Sequence, residues 1–202
     1  MSDPIIHEAL EYAASLINIP YRWYVEDTDT LLDGSDKFWS EHGPPPTYAD
    51  IVKHDKSIVC TGLTNLMRRK CGLSIPGLDG NITGKYSELY RHKYPGGTGA
   101  WFLYLYQRKR LQPLDVTKTY PRGTLLLAKY MDSAENQGHV AVVYDTDGQH
   151  VIHAGPDILF AHRDKFKNHG QVKIEAFHLA NLKLKSNVFT HVCLPEHWLL
   201  QD

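Results

Sequence analysis

The sequence predicts an α+β fold in which helices come first and an antiparallel sheet follows. Two observations carry this prediction. Apolar residues recur at helical spacing in two early segments, whereas the chain after Gly123 consists of short β-rich pieces separated by turn residues. With 202 residues and no internal repeat, the chain is expected to form one domain over residues 1–202.

Two helices are predicted in the first half of the chain. Residues 4–18 carry four apolar side chains at near-helical spacing, and Ser2 or Asp3 can cap the first turn. A second helix is predicted to begin at Cys60, because apolar residues on one face follow it. Gly72 stands where a helix end favours a left-handed residue. Cys60 is therefore expected at the start of a helix.

The predicted sheet is built from five pieces in the second half. They cover residues 124–130, 139–145, 149–155, 172–179 and 187–194. Asp147 and Gly148 separate the second piece from the third, as in a hairpin. The apolar and aromatic run at 100–111 fits a strand or a helix equally well.

The segment from 25 to 57 interrupts this regular pattern. It is acidic and rich in turn residues, and it contains three consecutive prolines at 44–46 that require an extended or looped backbone. We interpret it as an insertion or a lid.

Composition excludes several classes of function. The formal net charge of −1 provides no basic field for nucleic acid or an anionic membrane, and no run approaches the roughly 20 apolar residues of a membrane span. The first residues lack the features of a secretory signal, so synthesis in the cytoplasm is expected. Three cysteines are too few for a disulfide framework, and Cys71 and Cys193 are interpreted as structural thiols. Oligomeric state is left open.

The chemistry of the chain is expected to centre on Cys60. A helix start and a neighbouring imidazole both lower the pKa of a thiol and activate it as a nucleophile. His139 opens one predicted strand and His153 lies near the end of the next, so pairing about the hairpin turn makes them close neighbours. The predicted roles are nucleophile for Cys60, base for His139 and orienting group for His153. The backbone N–H of Cys60 and Tyr21 are candidate oxyanion donors.

Four short strings then resemble one family. They are PYRWY at 20–24, CTGL at 60–63, GHVAVVY at 138–144 and VIHAG at 151–155. In this order they are similar to the NlpC-type cysteine peptidases, papain-like enzymes that cut peptide bonds in bacterial cell-wall stem peptides. The resemblance implies a papain-like fold, with N-terminal helices that carry the nucleophile packed on a C-terminal antiparallel sheet. It also implies Cys60, His139 and His153 as the triad, Tyr21 beside the nucleophile and no cofactor.

The sequence departs from that family beside the nucleophile. Val59 stands where members that require a free amino group hold Asp, and Thr61 replaces the usual Ser, so the substrate groove is expected to differ. The long interval between Cys60 and His139 implies a second insertion at 85–112.

Alternatives to a stem-peptide substrate are open. The chain could hydrolyse or transfer an acyl group of a lipid, a substrate that the apolar Val59 would suit, or it could be a catalytically silent binding module. A zinc site that joins His150 to His139 and His153 is disfavoured, because His150 and His153 should point to opposite faces of a strand. The expected partner is a peptide or acyl small molecule. A cell-wall substrate would be reached by release of the protein, by its injection, or as recycled fragments in the cytoplasm.

Overall fold

A computed structural model describes residues 3–21, 39, 41–83, 95–128, 138–156, 170–183 and 189–202. Within these residues the chain forms helices on an antiparallel sheet, so the predicted α+β class is confirmed. The helices are α1 (Pro4–Ser15), α2 (Tyr48–Lys53), α3 (Cys60–Lys70), α4 (Thr98–Gln107) and α5 (Phe177–Lys183), with single 3₁₀ turns at Leu78–Gly80 and Pro195–His197. The strands are β1 (Gln112–Pro113), β2 (Leu125–Ala128), β3 (His139–Val143), β4 (His150–Pro156), β5 (Gly170–Ala176) and β6 (Phe189–Cys193), in the order β1-β6-β2-β3-β4-β5.

Both early helices occur where the sequence predicted them. The Asp3 side chain caps α1 by accepting a hydrogen bond from the Ile5 N–H at 2.9 Å. The helix ends at Ser15, three residues earlier than predicted, because Asn18 adopts a positive φ of 74° and its N–H donates to Val172 in β5. Helix α3 begins at Cys60 as predicted.

The run at 100–111, which fitted a strand or a helix, is helix α4 followed by a turn. Its buried side chains include Trp101, Tyr104 and Leu105, which share one helical face. The Trp101 indole donates to the Asn65 amide oxygen in α3 at 2.8 Å. The described part of the second predicted insertion, residues 95–112, therefore packs against the helix that carries Cys60 through α4, and residues 85–94 lie outside the described residues.

The described part of the first predicted insertion, residues 41–57, contains α2 after an irregular stretch that includes the prolines. The Tyr12 hydroxyl donates to the Pro46 carbonyl at 2.8 Å, and Arg69 donates to the Gly43 carbonyl at 3.1 Å. These bonds hold the stretch against α1 and α3. Residues 25–38 and 40 of the predicted lid lie outside the described residues.

Each of the five predicted β-rich pieces contains a strand, β2 to β6, and β3 pairs with β4 about the predicted hairpin turn. The fourth piece was predicted to extend to 179, but its last three residues form the first turn of α5. Alternation along the strands gives the sheet two apolar faces. One face packs on α1 and α3 and is called the α3 face; its members include Leu127, Val142 and Ile152. The other packs on α5 and is called the α5 face; its members include Ala141, Val143, Val151 and Phe189.

A fully buried arginine fixes the last turn of α3 to the chain's C-terminal segment. The Arg68 guanidinium donates to the carbonyls of Ser74 and Trp198 and to the Asp202 carboxylate, each at 2.6 Å. The Tyr104 hydroxyl accepts a further bond at 3.2 Å. Because burial of a cation is costly without such partners, this cluster determines where α3 ends relative to α4 and the C-terminal residues.

No helix in the described residues has the length and apolar character needed to cross a bilayer. The three cysteines are free thiols, as expected from their number. Burial raises the pKa of Cys71 to about 11 and that of Cys193 to about 12, which agrees with their interpretation as structural thiols.

We expect Arg68→Met to lower the free energy of unfolding by about 2–4 kcal/mol, because methionine fills the space but leaves buried carbonyls without a donor. Urea denaturation measures this change. Lys70→Met, an exposed position in the same helical turn, is the matched control and should stay within about 0.5 kcal/mol of the wild type. Equal effects of the two substitutions would contradict the structural role given to Arg68.

Candidate active site

Cys60 is the first residue of α3 and follows Val59, which has an extended backbone (φ −83°, ψ 169°). The chain before it is held by a hydrogen bond from the Ile58 N–H to the Pro20 carbonyl at 2.9 Å. The string that contains Tyr21 and the string that contains Cys60 are therefore side by side. Cys60 is 1% exposed and belongs to the core of the α3 face.

Backbone amides surround the Cys60 sulfur. Hydrogen bonds from the backbone of Val140, Thr61 and Cys60 itself lower the pKa of this thiol, but burial outweighs them and raises it to about 11. The sequence predicted a lowered pKa from the helix start and a nearby imidazole. The structure does not agree with that expectation, because a thiolate at this position would be buried away from water and burial disfavours the charged form.

The two candidate histidines are in direct contact, as predicted. His139 opens β3 directly after Gly138, whose φ is +75°, and His153 lies in β4. His139 Nε2 and His153 Nδ1 are 2.9 Å apart, and the two rings are nearly perpendicular at 89°. Both side chains are buried. The hairpin therefore brings two imidazoles into one hydrogen bond.

A third group extends this pair and was missed from the sequence. His153 Nε2 is 2.6 Å from Glu175 Oε1 in β5, and Lys173 Nζ lies 3.8 Å from the same carboxylate oxygen. The available signal was the alternation of Lys173 and Glu175 along a predicted strand, where two charged side chains face the same side of a sheet. A buried row, His139–His153–Glu175, thus crosses three neighbouring strands.

The His139 imidazole is held in its neutral form. Burial is the main cause that lowers the pKa of His139 well below its ordinary value of 6.5, and the adjacent His153 acts in the same direction. Glu175 acts the other way but does not compensate. At neutral pH this ring therefore has one nitrogen whose lone pair can accept a hydrogen bond or a proton.

The thiol and the histidines approach the sheet from different sides. Cys60 packs with the α3 face, whereas the His139 ring packs 5.9 Å from Phe189 of the α5 face. Among the contacts of the described residues, no hydrogen bond joins the Cys60 sulfur to the His139 ring. Their link is the backbone of Val140, which follows His139 directly and hydrogen-bonds the sulfur. The structure thus brings the histidines together and places the thiol beside the start of their strand.

The remaining predicted site residues lie around Cys60. Tyr21 is buried in the core of the α3 face, and its N–H donates to the Gly170 carbonyl at 2.8 Å. Val59 is partly buried and packs against the same core. Thr61 is buried, and its carbonyl accepts a bond from the Thr64 hydroxyl at 3.0 Å. The residue directly before the thiol is therefore apolar and in contact with the core that contains Cys60.

Gly155 makes room for the His153 ring. A Cβ added at this position would lie 2.6 Å from both Nδ1 and Cε1 of His153, a separation that real Cβ contacts do not show. The two residues are two positions apart on β4 and so face the same side of the sheet. The glycine in the string VIHAG thus has a steric role in placing the imidazole.

The three histidines considered as a zinc site do not converge. His150 is half exposed and binds Asp145 through its Nδ1 at 2.5 Å. In the described part of the chain, one group has a spacing that could hold a metal ion, and it consists of Asp145, Asp147 and His150 at the exposed hairpin end. This group is separate from the buried row.

Comparisons with family models, curated proteins and solved structures find no match to this chain.

We expect Gly155→Ala to displace the His153 ring and to destabilise the protein by about 1–3 kcal/mol, as overpacking does elsewhere. The measurement is a double-mutant cycle in urea with His153→Ala. Once the ring is absent, the added methyl has no imidazole to meet, and the cost of Gly155→Ala should largely disappear. An unchanged cost in the His153→Ala background would assign the clash to another group.

The lowered pKa of His139 predicts a loss of stability in acid. The unfolded chain binds a proton at His139 below about pH 6.5, whereas the folded chain does not, so stability is full above that pH and falls as the pH decreases. Between pH 7.5 and 5.5 this one proton contributes a loss of up to about 1.4 kcal/mol. Denaturation of the wild type and of His139→Gln at both pH values measures it, and the variant should lose less. An equal loss in both proteins would contradict the assignment.

Proposed function

We propose that the chain is a cysteine hydrolase of papain-like fold that cleaves an amide bond through a thioester on Cys60. The observation that supports this most is the buried, hydrogen-bonded pair of His139 and His153. His139 is the first residue of β3, and Cys60, the first residue of α3, lies beside that strand start. A neutral imidazole in hydrogen-bond contact with a second orienting group is the arrangement that general-base catalysis requires.

In the proposed reaction His139 takes the proton of the Cys60 thiol while the sulfur attacks the carbonyl carbon of the substrate. The bond between that carbon and the amide nitrogen breaks, and the leaving nitrogen takes the proton from His139. Water then attacks the thioester, again with His139 as base, and releases a carboxylic acid and the free thiol. The backbone N–H of Cys60 and the hydroxyl of Tyr21 are the proposed oxyanion donors.

This reaction requires a contact between thiol and imidazole that substrate binding completes. Burial favours the neutral thiol and the neutral imidazole at rest, since it raises the pKa of Cys60 and lowers that of His139. Catalytic hydrogen bonds are often long in free enzymes and shorten in the complex with substrate. We therefore place proton transfer in the step of attack, without a thiolate formed in advance.

The proposed substrate class is a peptide with an unusual linkage, of which a cell-wall stem peptide is the first example. Val59 at the helix N-cap cannot pair with an ammonium, so a substrate with a free amino group beside the cut bond is disfavoured. The packing of Val59 against the core supports a second candidate, an acyl group of a lipid, because it presents apolar surface beside the thiol.

The test is incubation of the wild type with stem peptides, N-blocked peptides and lipid esters, followed by mass spectrometry of the products. We expect Cys60→Ala to fold normally and to lose turnover by at least about 10⁴-fold, whereas Cys71→Ala retains it. Turnover that persists in Cys60→Ala would refute the nucleophile.

The burial of Cys60 also favours a third candidate, a catalytically silent binding module. General alkylating agents cannot separate this candidate from an enzyme, because a thiol with a pKa of about 11 reacts slowly in both cases. A peptide aldehyde that needs His139 for proton transfer does separate them. Labelling of Cys60 in the wild type that is lost in His139→Ala supports the enzyme, and equal labelling in both supports the silent module.

A further inference from the structure

We propose that Glu175 sets the tautomers of His153 and His139 and so makes Nδ1 of His139 the atom that accepts the thiol proton. This inference rests on the proposed function and deepens it, because it names a positioning residue and the reacting nitrogen. It is carried by two hydrogen bonds in series, His139 Nε2 to His153 Nδ1 at 2.9 Å and His153 Nε2 to Glu175 Oε1 at 2.6 Å.

The argument starts from the carboxylate, which when ionised can only accept hydrogen bonds. His153 must therefore carry its proton on Nε2 in order to donate to Glu175. We take His153 as neutral, the form that its burial at 2% exposure favours. A neutral imidazole has one N–H, so Nδ1 of His153 is an acceptor. His139 must then donate from Nε2, and its Nδ1 is left with a free lone pair.

The surroundings favour donation from His139 to His153 and from His153 to Glu175. The side chain of Glu175 is 10% exposed and that of His153 is 2% exposed, so water competes little for these bonds. Lys173 Nζ, 3.8 Å from Glu175 Oε1, favours the ionised carboxylate. A reversed chain would require a proton on Glu175 beside this ammonium.

The free lone pair is also on the His139 nitrogen that lies nearer the backbone. Nδ1 is bonded to Cγ and lies on the backbone side, whereas Nε2 lies at the far edge, toward His153. The Cys60 sulfur accepts a hydrogen bond from the backbone of Val140, the residue after His139. Nδ1 is thus the His139 nitrogen nearer the backbone that precedes Val140, and under the proposed function the tautomer with the proton on Nε2 is the one that can act as base.

The test is long-range ¹H–¹⁵N correlation spectroscopy of the full chain labelled at histidine, at pH 7.5, with signals assigned from His139→Gln and His153→Gln. We expect both histidines of the wild type to carry the proton on Nε2. Glu175→Ala should give mixed tautomers at His153 and His139. A wild-type His139 with its proton on Nδ1, or tautomers unaffected by Glu175→Ala, would overturn the proposal.

Lys173→Ala is the matched control on the same face of β5. It removes the neighbouring charge but leaves the carboxylate oxygen as acceptor, so the tautomers should remain those of the wild type. If Lys173→Ala mixed the tautomers as strongly as Glu175→Ala, the specific role of Glu175 would be refuted.

Failure of this inference is distinguishable from failure of the proposed function, because the spectra require no turnover. Absence of any Cys60-dependent hydrolysis removes the function, while the tautomers are still decided by the spectra. Once a substrate is identified, Glu175→Ala should lower kcat by about 10²-fold or more with little change in KM. A rise in KM at constant kcat would assign Glu175 to substrate binding instead.

Discussion

The row of hydrogen bonds from His139 through His153 to Glu175 is the interaction on which the site depends. It crosses three adjacent strands, so its distances require that β3, β4 and β5 all keep their register. A slip of one residue in any strand would turn its polar side chain to the opposite face and leave its neighbour buried without a partner. The fold and the site therefore stabilise each other, and Gly155 is the steric condition for both because it gives the His153 ring its space.

Helix α3 holds the thiol on the other side of the sheet, where the Val140 backbone at the start of β3 hydrogen-bonds the sulfur. One end of the helix is held by Arg68, whose guanidinium reaches the C-terminal residues, and the other end carries Cys60. Between them Asn65 bonds Trp101 of α4. A helix anchored in this way has little freedom to slide. Under the proposed function, the sulfur and the imidazole would therefore approach each other by side-chain rotation, with the backbone in place.

The parts of this arrangement that follow from local patterns were predictable from the sequence. The start of α3 at Cys60 follows from apolar periodicity and Gly72, and the contact of the histidines follows from a hairpin whose turn lies within ten residues. Glu175 was not predictable in the same way, because β4 and β5 are joined by a longer connection whose length does not determine register. The burial of Cys60 arises from packing between segments that are distant in the sequence, so the local sequence around Cys60 does not predict it. Helix α4 was ambiguous because its apolar residues fit either period.

That burial changes how the reactivity of Cys60 should be understood. A pKa raised from 9.0 to about 11 makes ionisation of the thiol costlier by about 3 kcal/mol, and the lowered pKa of His139 makes its protonation costlier as well. Both shifts oppose a resting ion pair of thiolate and imidazolium. The same low-dielectric surroundings strengthen the attraction between the two charges once they form together. A substrate whose carbonyl carbon is attacked by the sulfur would offset the cost of forming these two charges. The negative charge then moves onto the carbonyl oxygen, where backbone N–H groups can bind it. Under the proposed function, the buried thiol is thus protected from general electrophiles and becomes reactive only with a substrate that fits the site.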